Sequence, residues 1–211
     1  MPPPRFDLYL ITDRNQTAGR DLCAVVEAAL GGGVTAVQLR EKDLDSKKLF
    51  ELAEKLAALC QSYKAELFIN DRIDIALAVD AAGVQLGKDS LSLETARALL
   101  GSEKSIGYSA HSLEEARAAE KSGADFILFG PVFFTPSKAL FGAPQGVDRL
   151  RQVVAQLSVP VYAIGGLKSD HVAAVMQTGS RGIALISAII SAPDPADAAR
   201  TLRAKLARQA S

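Results

Sequence analysis

Hydrophobic positions along the chain switch repeatedly between two patterns. Short continuous apolar runs alternate with longer stretches in which apolar residues recur every three or four positions. The first pattern is that of strands buried on both faces, the second that of amphipathic helices. Residues 6–12 form the first run, followed by the polar loop D-R-N-Q-T-A-G. A helical pattern over 20–32 (Leu22, Val25, Val26, Ala29, Leu30) ends on Gly31-Gly32-Gly33. Because these glycines follow a helix and precede a strand, they read as a C-cap and tight turn rather than a phosphate loop. Residues 34–42, V-T-A-V-Q-L-R-E-K, read as a strand. Alternation puts Val34, Ala36, Gln38, Arg40 and Lys42 on one face and Thr35, Val37 and Leu39 on the other.

The alternation continues to the end. A helix over 45–64 carries Leu49, Leu52, Leu56 and Leu59 on one stripe. Strand 67–69 ends in Asn70-Asp71, and a helix-like segment leads to 79. Strand 83–86 is followed by the turn Gly87-Lys88-Asp89-Ser90, helix 92–101 and strand 105–109. Helix 112–123 opens with Ser112 and Glu115 at capping-box spacing. Strand 125–130 precedes the longest aperiodic stretch, where Pro131, Pro136 and Pro144 argue against a continuous helix. Helix 146–157, strand 160–164, Gly165-Gly166, helix 170–179, strand 182–186 and helix 196–208 complete the pattern. Eight strands alternating with eight helical segments, at about 26 residues per unit, predict an α/β chain closed as a single (β/α)8 TIM barrel. A doubly wound open sheet is the other arrangement. No linker-like run divides the units, so 1–211 is expected to be one domain.

Composition narrows the function classes. The 211 residues are 48% hydrophobic and 23% charged, with a formal net charge of zero. No global field draws in nucleic acid or a membrane surface, so any phosphate binding must be local. No apolar run reaches the roughly 18 residues of a membrane span. Cys23 and Cys60 sit in apolar helical stretches without a metal-ligand partner at usable spacing, and M-P-P-P-R-F-D carries no secretory pattern. Buried, reduced thiols in a cytoplasmic protein are the expectation.

A barrel of this type works at the C-terminal ends of its strands, and polar groups collect there. Gln38, Arg40 and Lys42 follow the second strand, Asn70 and Asp71 the third, and Lys88 and Asp89 the fourth. Ser109 and His111 follow the fifth, Thr135, Ser137 and Lys138 the sixth, Gly165-Gly166 the seventh and Ser187 the eighth. Arginine offers a fork for phosphate oxygens and lysine a mobile point charge. Gly165-Gly166 and Leu185-Ile186-Ser187-Ala188 read either as a phosphate site or as plain turn and cap chemistry. Asn70-Asp71 reads as an N-cap pair and Asp89 as a turn residue, unless both reach the rim and hold Mg2+ against a diphosphate. His111 is either a general acid/base or a helix-entry residue. His171 is assigned to a helix surface.

Six segments together resemble the thiamine phosphate synthase family over nearly the whole chain. They are Q-L-R-E-K at 38–42, I-N-D-R at 69–72, S-A-H-S-L-E-E-A at 109–116, G-A-D-F-I-L-F-G-P-V-F at 123–133, T-P-S-K at 135–138 and A-I-G-G at 163–166. That resemblance implies Mg2+-dependent coupling of hydroxymethylpyrimidine diphosphate to a thiazole phosphate, with release of diphosphate. It implies that Gln38, Arg40 and Lys42 hold the pyrimidine diphosphate, helped by Asn70, Ser109 and Lys138. Asp71 would ligate Mg2+; Thr135 and Ser137 would touch the thiazole phosphate, and Gly166, Ile186 and Ser187 its phosphoryl end. Arg40, Lys42, Ser109, Lys138 and His111 form the implied catalytic set.

The sequence also departs from the family. Where the fourth turn usually reads H-x-G-Q-x-D, this chain reads Q-L-G-K-D-S, so Ser90 stands at the second metal ligand's position and Asp89 one residue early. The sixth loop has F-F-T-P-S-K in place of the more usual T-x-T-K. Q-L-x-x-x-S with S-x-H-S-L-E-E-A resembles a related branch, the thiazole tautomerases, in which His111 would carry the proton that aromatises a carboxythiazole phosphate. The intact Q-L-R-E-K and N-D favour the synthase. A non-catalytic binder or regulator of the thiamine pathway is the third expectation, supported only by the eroded metal site. Small phosphorylated molecules are the expected partners, and a homodimer stays open.

Overall fold

The computed structural model describes residues 6–135 and 143–209. Eight parallel strands form a closed barrel: β1 (Leu8–Ile11), β2 (Ala36–Leu39), β3 (Glu66–Asn70), β4 (Gly83–Leu86), β5 (Ser105–Ala110), β6 (Phe126–Phe129), β7 (Val161–Ile164) and β8 (Gly182–Leu185). Each strand pairs with its neighbours in sequence, and β8 returns to β1 with Tyr9 opposite Ala184. The predicted barrel is therefore observed, and the open sheet is not.

The helices are α1 (Leu22–Gly31), α2 (Ser46–Ser62), α3 (Ile73–Ala78), α4 (Leu93–Leu100), α5 (Leu113–Lys121), α6 (Gly146–Gln156), α7 (Val172–Met176), α8 (Ser187–Ile190) and α9 (Pro195–Ala207). Their starts are chemically marked. The side chains of Asp21, Asp45, Ser92, Ser112 and Asp194 each accept a backbone N–H of the first turn, satisfying donors that have no partner within the helix. Gly32 caps α1 and Gly33 adopts φ 103°, as the triple glycine predicts. None of the described helices is long and apolar enough to cross a membrane.

Alternation along the strands makes two cores. Leu8, Leu10, Val37, Leu39, Leu67, Ile69, Val84, Leu86, Ile127 and Phe129 face the helices and build the outer core. Tyr9, Ile11, Ala36, Phe68, Phe126, Leu128, Tyr162 and Ala184 fill the barrel interior. Phe6, just before β1, plugs the floor: its ring stacks on Tyr162 at 4.5 Å and meets Phe68 and Phe126 edge-on at 5.4 and 5.3 Å. The buried Tyr162 hydroxyl donates to the Phe6 carbonyl at 3.0 Å.

Three local expectations need correction. The strand predicted over 34–42 is regular only over Ala36–Leu39. Val34 precedes it, bonds back to the Ala29 carbonyl and packs into the outer core, away from Ala36. The helix predicted over 170–179 is a single 3-10 turn, Ser169–His171, leading into the short α7. After β8 there are two helices rather than one, α8 being a single turn before α9.

Candidate active site

Above the aromatic floor, the barrel interior turns polar. Gln38 and Gln85 are 1% and 2% exposed, on β2 and β4. Gln85 Nε2 donates to Ser109 Oγ on β5 at 3.0 Å. A Cβ at Gly107 would collide with Gln85 Oε1 and the Phe126 ring, so glycine there makes room for the amide. Among the described residues, Gln38 Nε2, Gln85 Oε1 and the Tyr9 hydroxyl have no hydrogen-bond partner. Burial without a partner costs about 1–3 kcal/mol for such a group, and buried polar atoms left unsatisfied mark a place where a ligand can supply the partner. Gln85 was missed by sequence reasoning, although its position two residues beyond Gly83 puts it on the interior face. Burial also pushes the Tyr9 phenol well above its ordinary pKa, so it stays neutral.

Arg40 and Lys42 lie beyond the end of β2, on the loop to α2. The ladder stops there because the Arg40 N–H turns to the Thr12 hydroxyl at 2.9 Å. Between them Glu41 points inward, 4% exposed, and takes the Arg14 N–H on both carboxylate oxygens at 3.1 and 3.2 Å. Arg40 is half-buried and Lys42 exposed, and neither forms an ion pair among the described residues. Arg14 is itself committed, reaching Glu41 with Nη1 at 3.2 Å and Asp43 with both guanidinium nitrogens. That fork holds the Asp43 carboxyl below the usual carboxylate range. Among the described residues the two cations on this loop are thus without an ion pair, while Arg14 is locked.

Asn70 and Asp71 crown β3. Their N-cap reading fails: Arg72 is the N-cap residue of α3, and no side chain caps it. Asp71 instead adopts φ 61°, a region that few non-glycine residues occupy, and its N–H donates to the Gln85 carbonyl. Asn70 Nδ2 donates to Asp71 Oδ2 at 2.7 Å, and the Ser90 hydroxyl donates to Asp71 Oδ1. Ser90 also accepts the Gly87 N–H at 2.7 Å. It is Ser90, not the exposed Asp89, whose side chain meets Asp71. Asp89 and Glu115 add to the burial that pushes the Tyr108 phenol up.

Around the rest of the rim, Ser109 is half-buried, with its Oγ occupied by Gln85. His111 is exposed, and its Nδ1 lies 2.5 Å from the Gly130 carbonyl. A carbonyl only accepts, so Nδ1 carries the proton and Nε2 is left as the base. The capping pair is displaced by one residue: Ser112 accepts from Glu115 N, but Glu115 Oε2 takes the N–H of His111, anchoring the histidine backbone. Thr135 is half-buried at the end of the described loop after β6; Ser137 and Lys138 lie outside the described residues. Gly165 and Gly166 have φ 96° and 64°, and a Cβ on Gly166 would strike the backbone of Phe133 and Phe134. Ile186 caps α8, and Ser187, exposed, is its first residue. His171 is not a bare helix-surface residue: its ring stacks on Phe133 at 3.8 Å and 12°, tying the loop after β6 to the loop after β7.

A closed parallel barrel with amides, free cations, a carboxylate and glycine-opened backbone on its C-terminal rim defines an enzyme of the (β/α)8 class. The chain belongs to the thiamine monophosphate synthase family, whose model matches residues 8–189. It is 53% identical to a putative thiamine-phosphate synthase of Geobacter sulfurreducens, over 95% of this chain and 94% of that one. It is 43% identical to a thiamine-phosphate synthase of Moorella thermoacetica, over 97% and 98%. The solved thiamine phosphate pyrophosphorylase of Pyrococcus furiosus superposes with a TM-score of 0.91 at 39% identity, covering 98% of both chains. These relatives place the chain among transferases.

Proposed function

We propose that this chain couples hydroxymethylpyrimidine diphosphate to a thiazole phosphate, releasing diphosphate. The observation that carries this reading is vertical. Gln38 Nε2 and Gln85 Oε1, buried in the barrel interior and unpartnered among the described residues, stand below the strand ends, and Arg40 and Lys42 follow the end of β2 with no ion pair among those residues. An aminopyrimidine presents a ring-nitrogen acceptor beside an amine donor, and its diphosphate would then rise to the loop after β2. Arg40 and Lys42 would absorb charge as the carbon–oxygen bond to diphosphate breaks, with Asn70, Ser109 and Lys138 assisting. The aminopyrimidine ring stabilises the resulting methylene cation, the thiazole nitrogen attacks it, and no enzymic nucleophile is needed. Thr135, Ser137, Gly165, Gly166, Ile186 and Ser187 would hold the thiazole phosphate.

Asp71 and Ser90 supply hard oxygen donors that suit Mg2+ held jointly with a diphosphate, a cation that usually keeps few protein ligands. Asp71 is the proposed ligand, with Asp89 on the adjacent turn as second carboxylate. When bound, the metal would neutralise charge on the leaving diphosphate. Cytoplasmic location and one working domain over 1–211 complete the proposal.

The test is diphosphate release from purified protein given both substrates, with Mg2+ and then with EDTA. Release that needs both substrates and Mg2+, with thiamine phosphate formed, supports the synthase. His111, with Nδ1 tied to the Gly130 carbonyl and Nε2 without a hydrogen-bond partner among the described residues, favours the tautomerase as the second reading. Absence of diphosphate release, with aromatisation of a carboxythiazole phosphate lost in His111→Ala, would establish that reading instead. Ligand binding without turnover of either kind would leave the non-catalytic role.

A further inference from the structure

We propose that Glu41 is a positioning residue, clamped by the loop after β1, that aims Arg40 and Lys42 at the diphosphate. The inference rests on the synthase reading for its ligand and on the loop geometry for its mechanism. Glu41 sits between two cations yet turns the opposite way: its side chain is 2% exposed, while Lys42 is exposed. A buried carboxylate is costly unless hydrogen bonds and a counter-charge meet it. Here both arrive from one residue 27 positions earlier, Arg14, through its backbone N–H at 3.1 and 3.2 Å and its Nη1 at 3.2 Å. Arg14 is fixed in turn. It opens the 3-10 turn Arg14–Gln16, which Asp13 caps by accepting Asn15 N at 3.1 Å, and its guanidinium fork grips Asp43 on the far side of Lys42. Thr12, fully buried, holds the Arg40 N–H at 2.9 Å.

The Arg40 backbone and the residues on both sides of Lys42 are therefore pinned to one short segment, 12–14. With Glu41 drawn inward, the two flanking side chains have only the rim side left to occupy. Freeing Glu41 lets the loop rotate, and both cations then spend their time in solvent. The consequence belongs to diphosphate recognition, because the Glu41 carboxylate is buried and already occupied by Arg14, leaving Arg40 and Lys42 to meet the ligand. Preorganised charge is worth more than the same charge on a loose loop, since no ordering remains to be done on binding.

Glu41→Gln keeps the volume and one acceptor for the Arg14 N–H, and Asp43 still partners the guanidinium, so the variant is expected to fold. Its Kd for inorganic diphosphate with Mg2+, read by calorimetry, should weaken about tenfold, as should KM for the pyrimidine diphosphate, with kcat changing less. Amide exchange at 40–44 should quicken, while the melting temperature moves by only a few degrees. Arg14→Lys keeps the backbone donor and a positive charge and should behave close to wild type. Asp43→Asn should weaken diphosphate by about twofold at most, since it loosens only the outer grip. Wild-type diphosphate affinity in Glu41→Gln, or a lowered melting temperature with unaltered affinity in the folded protein, would overturn the proposal. If wild-type protein fails to bind diphosphate, the functional reading falls. The exchange comparison then decides the clamp alone: faster exchange upholds it, and unchanged exchange removes it.

Discussion

The floor and the rim of the same barrel interior are built on opposite rules. At the floor, Phe6, Tyr9, Phe68, Phe126 and Tyr162 form a cluster of rings at centroid distances of 4.5 to 6.3 Å; the Tyr162 hydroxyl is satisfied by the Phe6 carbonyl, and the Tyr9 hydroxyl alone among these rings has no partner among the described residues. Some residues higher, two buried amides are left with unsatisfied atoms and two cations with no carboxylate among the described residues. The floor gains its free energy on folding. The rim holds polar groups that folding leaves unsatisfied, and they gain theirs only when a ligand arrives. Stability and function are thereby separated along one axis, a division that parallel barrels permit because every strand ends on the same side.

That separation can be broken from either end. The largest effect should come at the rim: Asp71→Ala should reduce Mg2+-dependent diphosphate release by about a hundredfold or more, with the thermal transition nearly unmoved. Unchanged activity would take Asp71 out of the metal site. Phe126→Ala cuts into the floor, where loss of a buried ring typically costs about 3–5 kcal/mol. Chemical denaturation should show that loss, while KM in the protein that remains folded stays near wild type. A large rise in KM would mean that floor and rim are not independent. Gln38→Leu sharpens the contrast by asking for opposite signs. Removing an unpartnered buried donor should leave stability unchanged or raise it by about 1 kcal/mol, while kcat/KM falls about tenfold. Destabilisation by that change would show that Gln38 has a structural duty.

Much of this was legible in the chain because it rests on local periodicity. Alternation in the runs around 36–39, 67–70 and 126–129 is enough to assign which residues face inward, and the strand tops then fall where Gln38, Asn70 and Ser109 lie. What periodicity misses is set by partners distant in sequence. Arg40 leaves the strand because Thr12 and Arg14, 28 and 26 positions away, take over its backbone and its neighbour. His171 has helical neighbours, but Phe133 decides its environment. Asp71 looks like a cap until Ser90 is seen to reach it. Gln85 was readable in principle, and was passed over because a glutamine in a buried strand carries no motif. The assignments of Ser137 and Lys138 concern residues outside those described.

The Phe6 plug has a consequence for anyone who needs to attach this barrel to something else. Phe6 closes the end of the barrel where the strands begin, and Arg203, late in α9, pairs with the adjacent Asp7. Residues 6 and 209 thus leave the barrel on the same side, opposite the rim. A partner or surface that met the barrel at the Asp7–Arg203 pair would sit beneath the molecule and leave its open mouth turned outward.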